Sequence, residues 1–109
     1  MTDETPEEPF VRIREFEWHE DKRKANLRDH NIDFENAREI VDGPTIVRRS
    51  DREGEVRYMV FGFVNDEEAV VVCTFRGDNC RLISARRARR DERKKYHSRL
   101  PRRSEAGQD

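Results

Sequence analysis

Ala69-Val70-Val71-Val72-Cys73-Thr74-Phe75, followed by Arg76-Gly77-Asp78-Asn79 and then Arg81-Leu82-Ile83-Ser84-Ala85, decides the fold of this chain. The first run is nearly all β-formers and predicts a central strand covered on at least part of both faces. The polar quartet around Gly77 predicts a hairpin turn, and the third run predicts a strand returning antiparallel to the first. Upstream, Val56 to Val64 reads as a long strand, joined to the central one by the turn Asn65-Asp66-Glu67-Glu68. Thr45 to Arg49 reads as another strand, separated by the polar turn Asp51 to Glu55.

Further upstream the period changes. Phe34, Ala37, Ile40 and Val41 recur at helical spacing behind Asp33, a good N-cap, and Gly43-Pro44 stops that helix. His19 to His30 lacks Gly and Pro and is rich in Lys, Arg, Glu and Ala, so it predicts a helix that Asn31 ends in the left-handed region. Ile13 to Trp18 alternates as a short edge strand does. Downstream, Ala88 to about His97 predicts a last helix. The order is β-α-α-β-β-β-β-α around a small antiparallel sheet, in the α+β class.

One domain over 13–97 accounts for 109 residues. Only 33 % of the chain is hydrophobic and 43 % is charged, a balance that predicts disorder when spread evenly. Here the apolar residues concentrate in the strands. Residues 1–12, rich in Pro and Glu, and 98–109 read as disordered tails around a small core. The net charge of −1 hides a polarity. Residues 1–43 are acid-rich, whereas residues 81–103 hold eleven Arg or Lys against Asp91 and Glu92. That fits nucleic-acid binding on one face, or pairing with an oppositely charged partner or a second copy.

Thr2 to Pro9 does not read as a secretory leader, and no apolar run approaches membrane-spanning length. The chain is expected in the cytoplasm, away from membranes, with Cys73 and Cys80 reduced, buried and inert on either side of the hairpin. Cys-x6-Cys without a second pair is a weak metal motif. No Gly-rich phosphate loop, zinc pattern, nucleophile elbow or internal repeat is visible, so neither a metal nor a cofactor is expected.

The chemistry points to Ile83-Ser84-Ala85-Arg86-Arg87-Ala88-Arg89-Arg90, an apolar strand running into an arginine cluster. Like charges repel, and a phosphodiester backbone is a common partner that offsets the repulsion. The alternative is a solvated helix whose arginines pair with Asp91, Glu92 and the acidic first half of the chain.

These residues assemble into a wider pattern. Phe16-Glu17-Trp18-His19-Glu20-Asp21-Lys22 is similar to the opening Phe-Glu-Trp-Asp-x-x-Lys of the BrnT family. Asn26-Leu27-Arg28-Asp29-His30-Asn31-Ile32-Asp33-Phe34-Glu35-Asn36-Ala37 resembles its Asn-x-x-Lys-His-Gly-Ile-x-Phe-Glu-Glu-Ala. Asp42-Gly43-Pro44, Glu55-Val56-Arg57-Tyr58 and Gly62 fall where that family places similar residues. Arg81-Leu82-Ile83-Ser84-Ala85-Arg86-Arg87-Ala88, then Glu92 and Tyr96, follow its Arg-Ile-Ile-Ser-Ala-Arg-Arg-Ala almost residue for residue. The resemblance covers residues 14–97.

It implies a type II toxin with a RelE-like fold: a metal-free ribonuclease that blocks translation. A BrnA-type antitoxin would neutralise it, in a complex that includes a 2:2 assembly among its options. Operator DNA would be contacted only through that antitoxin. Three positions depart from the pattern. His19 replaces an Asp, which removes a good N-cap worth about 1 kcal/mol. Asn31 replaces a Gly, a mild change. Asp29 replaces a Lys and sets a carboxylate beside His30, raising that ring's proton affinity if the two are close.

Metal-free RNA cleavage needs a base for the 2′-hydroxyl, a stabiliser for charge on the phosphate, and an acid for the leaving 5′-oxygen. Arg86 is assigned the second task, with Arg76 and Arg57 as lesser candidates. Arg87 points away from Arg86 if the strand continues. His30 or Lys22 would handle protons. They lie eight residues apart on one helical face, so at most one acts on a given atom. Arg57, Arg87, Arg90 and Tyr96 complete the expected RNA contacts. Each has a plainer reading. His30 suits the helix dipole, and Lys22 suits solvent or a pair with Glu15 or Glu20. Trp18 and Tyr96 suit packing, and Glu92 suits a pair with a nearby arginine. The rival functions are a non-catalytic module that docks RNA or an acidic antitoxin segment through the same patch, and a homodimer that pairs the basic helix with the acidic N-terminus.

Overall fold

Five strands form one sheet in the order β1-β5-β4-β3-β2 in the computed structural model, which describes Phe10 and residues 13–100. The strands are β1 (Glu15–Glu17), β2 (Ile46–Arg49), β3 (Tyr58–Val64), β4 (Glu67–Arg76) and β5 (Asn79–Arg87). Helix α1 (Glu20–His30) and α2 (Phe34–Ala37) lie between β1 and β2, and α3 (Arg90–Tyr96) follows β5. The architecture is α+β, as the change from period 3.6 to period 2 predicts.

Strands β2 to β5 are an antiparallel meander with β4 at its centre. β1 departs from the expected antiparallel sheet. It pairs in parallel with β5, through Glu15 opposite Asn79 and Glu17 opposite Arg81. Parallel pairing requires a long crossover, and here everything from α1 to β4 supplies it. Glu17 and Arg81 close the edge with an ion pair at 3.1 Å.

Period-2 alternation sends side chains to two cores. One face presents Val47, Val60, Val64, Ala69, Val71, Cys73, Cys80, Leu82 and Ala85 to Ile32, Phe34, Ala37 and Ile40. The other presents Ile46, Phe61 and Val70 to Ala88, Tyr96 and Leu100 around α3. β4 is thus buried on both sides, as its composition requires. A register shift at Val72/Cys73 inserts an extra residue on β5, so that Leu82 and Ala85 reach the same core.

The helix from Asp33 begins as expected, with its carboxylate accepting from the Glu35 amide. It is not one α-helix, however. After Ala37 it tightens into a 3-10 helix over Arg38–Asp42. Gly62 makes room for this segment: a Cβ there would meet Ile40 Cγ1 at 2.8 Å and the Pro44 carbonyl at 3.1 Å. The tighter coil brings Ile40 and Pro44 against the β3 backbone, where only glycine leaves room.

Other boundaries differ by a few residues. The Asn65-Asp66 pair alone makes the β3–β4 turn, both residues at positive φ (53° and 64°), as a tight hairpin demands. Asn31 ends α1 at φ 58°. His19 does cap α1: its Nδ1 accepts from the Asp21 amide at 3.2 Å, so the expected loss of a cap is not found. The last helix starts at Arg90 rather than Ala88, because β5 runs on to Arg87. A 3-10 turn over His97–Arg99 and the buried Leu100 lie beyond the expected domain boundary at 97. The two expected tails otherwise lie outside the described residues, as does the acidic half of the homodimer reading. Phe10 stacks edge-on against Tyr58 and Phe75.

Candidate nucleic-acid interface

Arg86 leaves β5 on the α3 side of the sheet, beside Val70 of β4. Its guanidinium makes a two-pronged pair with Glu92, at 2.8 and 2.9 Å. Glu92 also accepts from the Arg89 amide at 2.7 Å, closing a capping box at the start of α3. The Arg86 hydrogen bonds hold the Glu92 carboxyl below its ordinary range, and Glu92 in turn raises Arg86. Both side chains are more than four-fifths shielded. This is a fixed charge pair, built where strand alternation delivers Arg86 and the first turn of α3 delivers Glu92.

A second guanidinium shares this face. Arg48 of β2, opposite Met59, donates from Nη1 to the Tyr96 hydroxyl at 3.1 Å. The Tyr96 ring packs on Phe61, 5.1 Å between centroids. Arg48, Met59, Phe61, Val70, Glu92 and Tyr96 line one small cavity. Two guanidinium groups, a carboxylate and a phenol therefore converge between the sheet and α3. The site can grip a phosphate through its arginines and move a proton through the carboxylate. Sequence reasoning missed Arg48, since no local signal sets it apart from Arg49 or Arg52; only the β2–β3 register brings it here.

The other expected residues scatter. Arg87 points to the opposite face, paired with Glu67, as the alternation argument requires. Arg76 sits at the β4–β5 hairpin, six residues along β4 from Val70, about 20 Å of strand. Arg57 precedes β3 and is held by Glu55 at 2.7 Å. Neither shares the Arg86 site. Arg90 opens α3 and lines a separate groove on that helix.

Lys22 and His30 lie on α1, which follows β1 along the outer edge of β5. Between them, one turn from each, Asn26 is buried: its Oδ1 accepts from the Ala85 amide at 2.9 Å and its Nδ2 donates to the Ile32 carbonyl at 2.8 Å. α1 is thus docked beside the residue that precedes Arg86. Lys22 and His30 are both exposed, and among the described residues neither is bonded to Arg86 or Glu92. Of the two carboxylates expected to pair with Lys22, Glu20 binds Arg23 instead. Asp29 pairs with Arg28 at 3.0 Å. Trp18 packs edge-on against Phe34, centroids 6.0 Å apart.

Cys73 and Cys80 are free and buried. The neighbouring Cys80 thiol and burial push the Cys73 thiol above its ordinary range, which disfavours the reactive thiolate. Among the described residues, no three His, Cys, Asp or Glu side chains gather as metal ligands would. No described helix is long and apolar enough to cross a membrane.

No curated protein matched the chain in comparison. Residues 18–92 match the family model described as "Ribonuclease toxin, BrnT, of type II toxin-antitoxin system". The match runs from Trp18 at the end of β1 through the sheet to Glu92, the partner of Arg86, and takes in well over half of the sequence. The chain belongs to the BrnT family of type II toxin–antitoxin ribonuclease toxins.

Proposed function

We propose that the chain cleaves messenger RNA at the face between β5 and α3, without a metal ion, and so arrests translation until an antitoxin binds. The observation that carries this reading is the shielded Arg86–Glu92 pair beside Arg48–Tyr96. In the reaction the 2′-oxygen bonds to phosphorus and the bond to the 5′-oxygen breaks, leaving a 2′,3′-cyclic phosphate and a 5′-hydroxyl. Arg86 and Arg48 take up the charge that grows on the phosphate oxygens. Glu92, released from Arg86 as the phosphate docks, accepts the 2′-hydroxyl proton. The Tyr96 hydroxyl, held by Arg48, is positioned to supply a proton to the leaving oxygen. His30 and Lys22 remain candidates for proton transfer from the edge of β5.

The same reading places the protein in the cytoplasm with a RelE-like fold. Its partner is a BrnA-type antitoxin, in a complex such as a 2:2 assembly, and operator DNA is reached only through that partner. The test is incubation of the full chain with a defined RNA in EDTA, with Arg86→Ala alongside. Wild type is expected to yield 5′-hydroxyl ends, and Arg86→Ala to be slower by about 100-fold or more while melting cooperatively. Cleavage by Arg86→Ala at the wild-type rate would remove the site assignment. Salt-dependent RNA binding without cleavage would replace the enzyme with a docking module.

A further inference from the structure

Arg90, Arg93 and Lys94 of α3 stand in one cluster of cations. Arg23, Arg49, Arg57, Arg81 and Arg86 are each neutralised by a nearby carboxylate. Among the described residues, the side chains of Arg90, Arg93 and Lys94 enter no hydrogen bond or ion pair. They nonetheless stand together along one wall of a groove of about 430 Å³. Positions 90, 93 and 94 are neighbours on a helix surface, so their charges repel one another, and Glu68 is the one carboxylate that lines the groove with them. Glu68 and His97 form the other wall, with His97 Nδ1 and Glu68 Oε1 2.6 Å apart.

We infer that this groove is a second phosphate-binding track for single-stranded RNA, holding nucleotides next to those at Arg86. The inference takes its ligand from the ribonuclease reading. The chemistry of the walls favours RNA backbone over an acidic protein segment. Glu68, Arg90, Arg93, Lys94, His97 and Ser98 line the groove, and none of them is an apolar residue. A peptide partner gains most of its affinity from large apolar anchors seated in matching pockets, and the carbon surface of this open groove comes only from the stems of polar and charged side chains. A polyanion gains its affinity from released counterions and needs only cations at successive positions. Position supports the same choice. Glu68 of the groove lies two residues from Val70, the residue opposite Arg86, on the same face of β4, so one strand can reach both.

The experiment uses the full chain and a fluorescent 2′-O-methyl RNA, which lacks the attacking hydroxyl and is not cut. Binding is measured against salt for wild type, for Arg90→Gln/Arg93→Gln/Lys94→Gln, and for a control with Arg14→Gln/Arg52→Gln. The triple variant is expected to bind about tenfold or more weakly, with the slope of log affinity against log salt reduced by about 2, from three lost single-strand phosphate contacts. The control keeps the wild-type slope. Melting curves identify any loss of fold, and three single substitutions, each expected to lower the slope by about 0.7, then replace the triple. An unchanged slope, or no binding by wild type, overturns the inference, as does preference for poly-glutamate over the RNA. The two readings separate cleanly. Wild type that binds through the groove but cuts no RNA sinks only the ribonuclease, and wild type that cuts RNA while the triple variant binds normally sinks only the groove.

Discussion

Arg86 and Glu92 face each other across the β5–α3 junction with two parallel hydrogen bonds, 2.8 and 2.9 Å long. The same carboxylate caps the helix that follows through the Arg89 amide. One acidic side chain thus fixes both the guanidinium and the start of α3, so the candidate site and the second core are mechanically one unit.

The pair makes a prediction for acid stability. Glu92 is held below its ordinary value of 4.5, chiefly by Arg86. A depressed carboxyl stabilises the fold above the unfolded-state value and loses that contribution as pH falls through the folded one. Wild type is expected to lose stability below about pH 4.5 more steeply than Glu92→Gln. At neutral pH, Glu92→Gln should be less stable by about 1–3 kcal/mol, since it keeps a cap but loses a charge-assisted pair. Urea titrations at pH 3, 4, 5 and 7 measure both effects, and parallel acid limbs for the two proteins would contradict the first.

Tyr96 tests whether the phenol acts or only packs. Tyr96→Phe keeps the ring on Phe61 and removes only the oxygen that accepts from Arg48. Stability is expected to fall by about 1 kcal/mol, while RNA cleavage falls about tenfold to a hundredfold with substrate binding little changed. A variant with wild-type turnover would reduce Tyr96 to a packing residue.

Asn26 is the clearest structural hinge of the site. Asn26→Ala leaves both the Ala85 amide and the Ile32 carbonyl without their partner. The expected loss is about 2–6 kcal/mol, from two buried backbone groups at about 1–3 kcal/mol each. Hydrogen exchange should show the Ala85 amide losing protection ahead of the centre of β4. Retained protection at Ala85 would mean that α1 is held by other contacts.

Gly62→Ala places a methyl within 3.1 Å of the Pro44 carbonyl, which belongs to the backbone and cannot swing away as the Ile40 side chain can. Overpacking of this kind typically costs about 1–3 kcal/mol. Thermal denaturation reads it directly, and a variant as stable as wild type would show that the 3-10 segment shifts freely over β3.

The sequence by itself determined the strands, because burial on one or both faces writes itself into a period of two. Val70 and Val71 announce a doubly covered β4, and the outward and inward placement of Arg86 and Arg87 follows from alternation alone. It also determined the ends of elements ruled by local backbone chemistry, such as Asp33 at an N-terminus and Asn31 at positive φ. The family pattern around Arg81 to Ala88 was legible in the same way. Only the tertiary structure decided the rest. The parallel pairing of β1 with β5, the docking of α1 through Asn26 and the meeting of Arg48 with Tyr96 join residues 48 to 64 positions apart. Neither a short-range period nor a cap encodes such contacts, since they arise when strand register and helix packing are set together. His19, a cap without the usual side chain, and the helix that tightens over Gly62 were hidden for a related reason: there the space left by neighbouring atoms overrides local propensity.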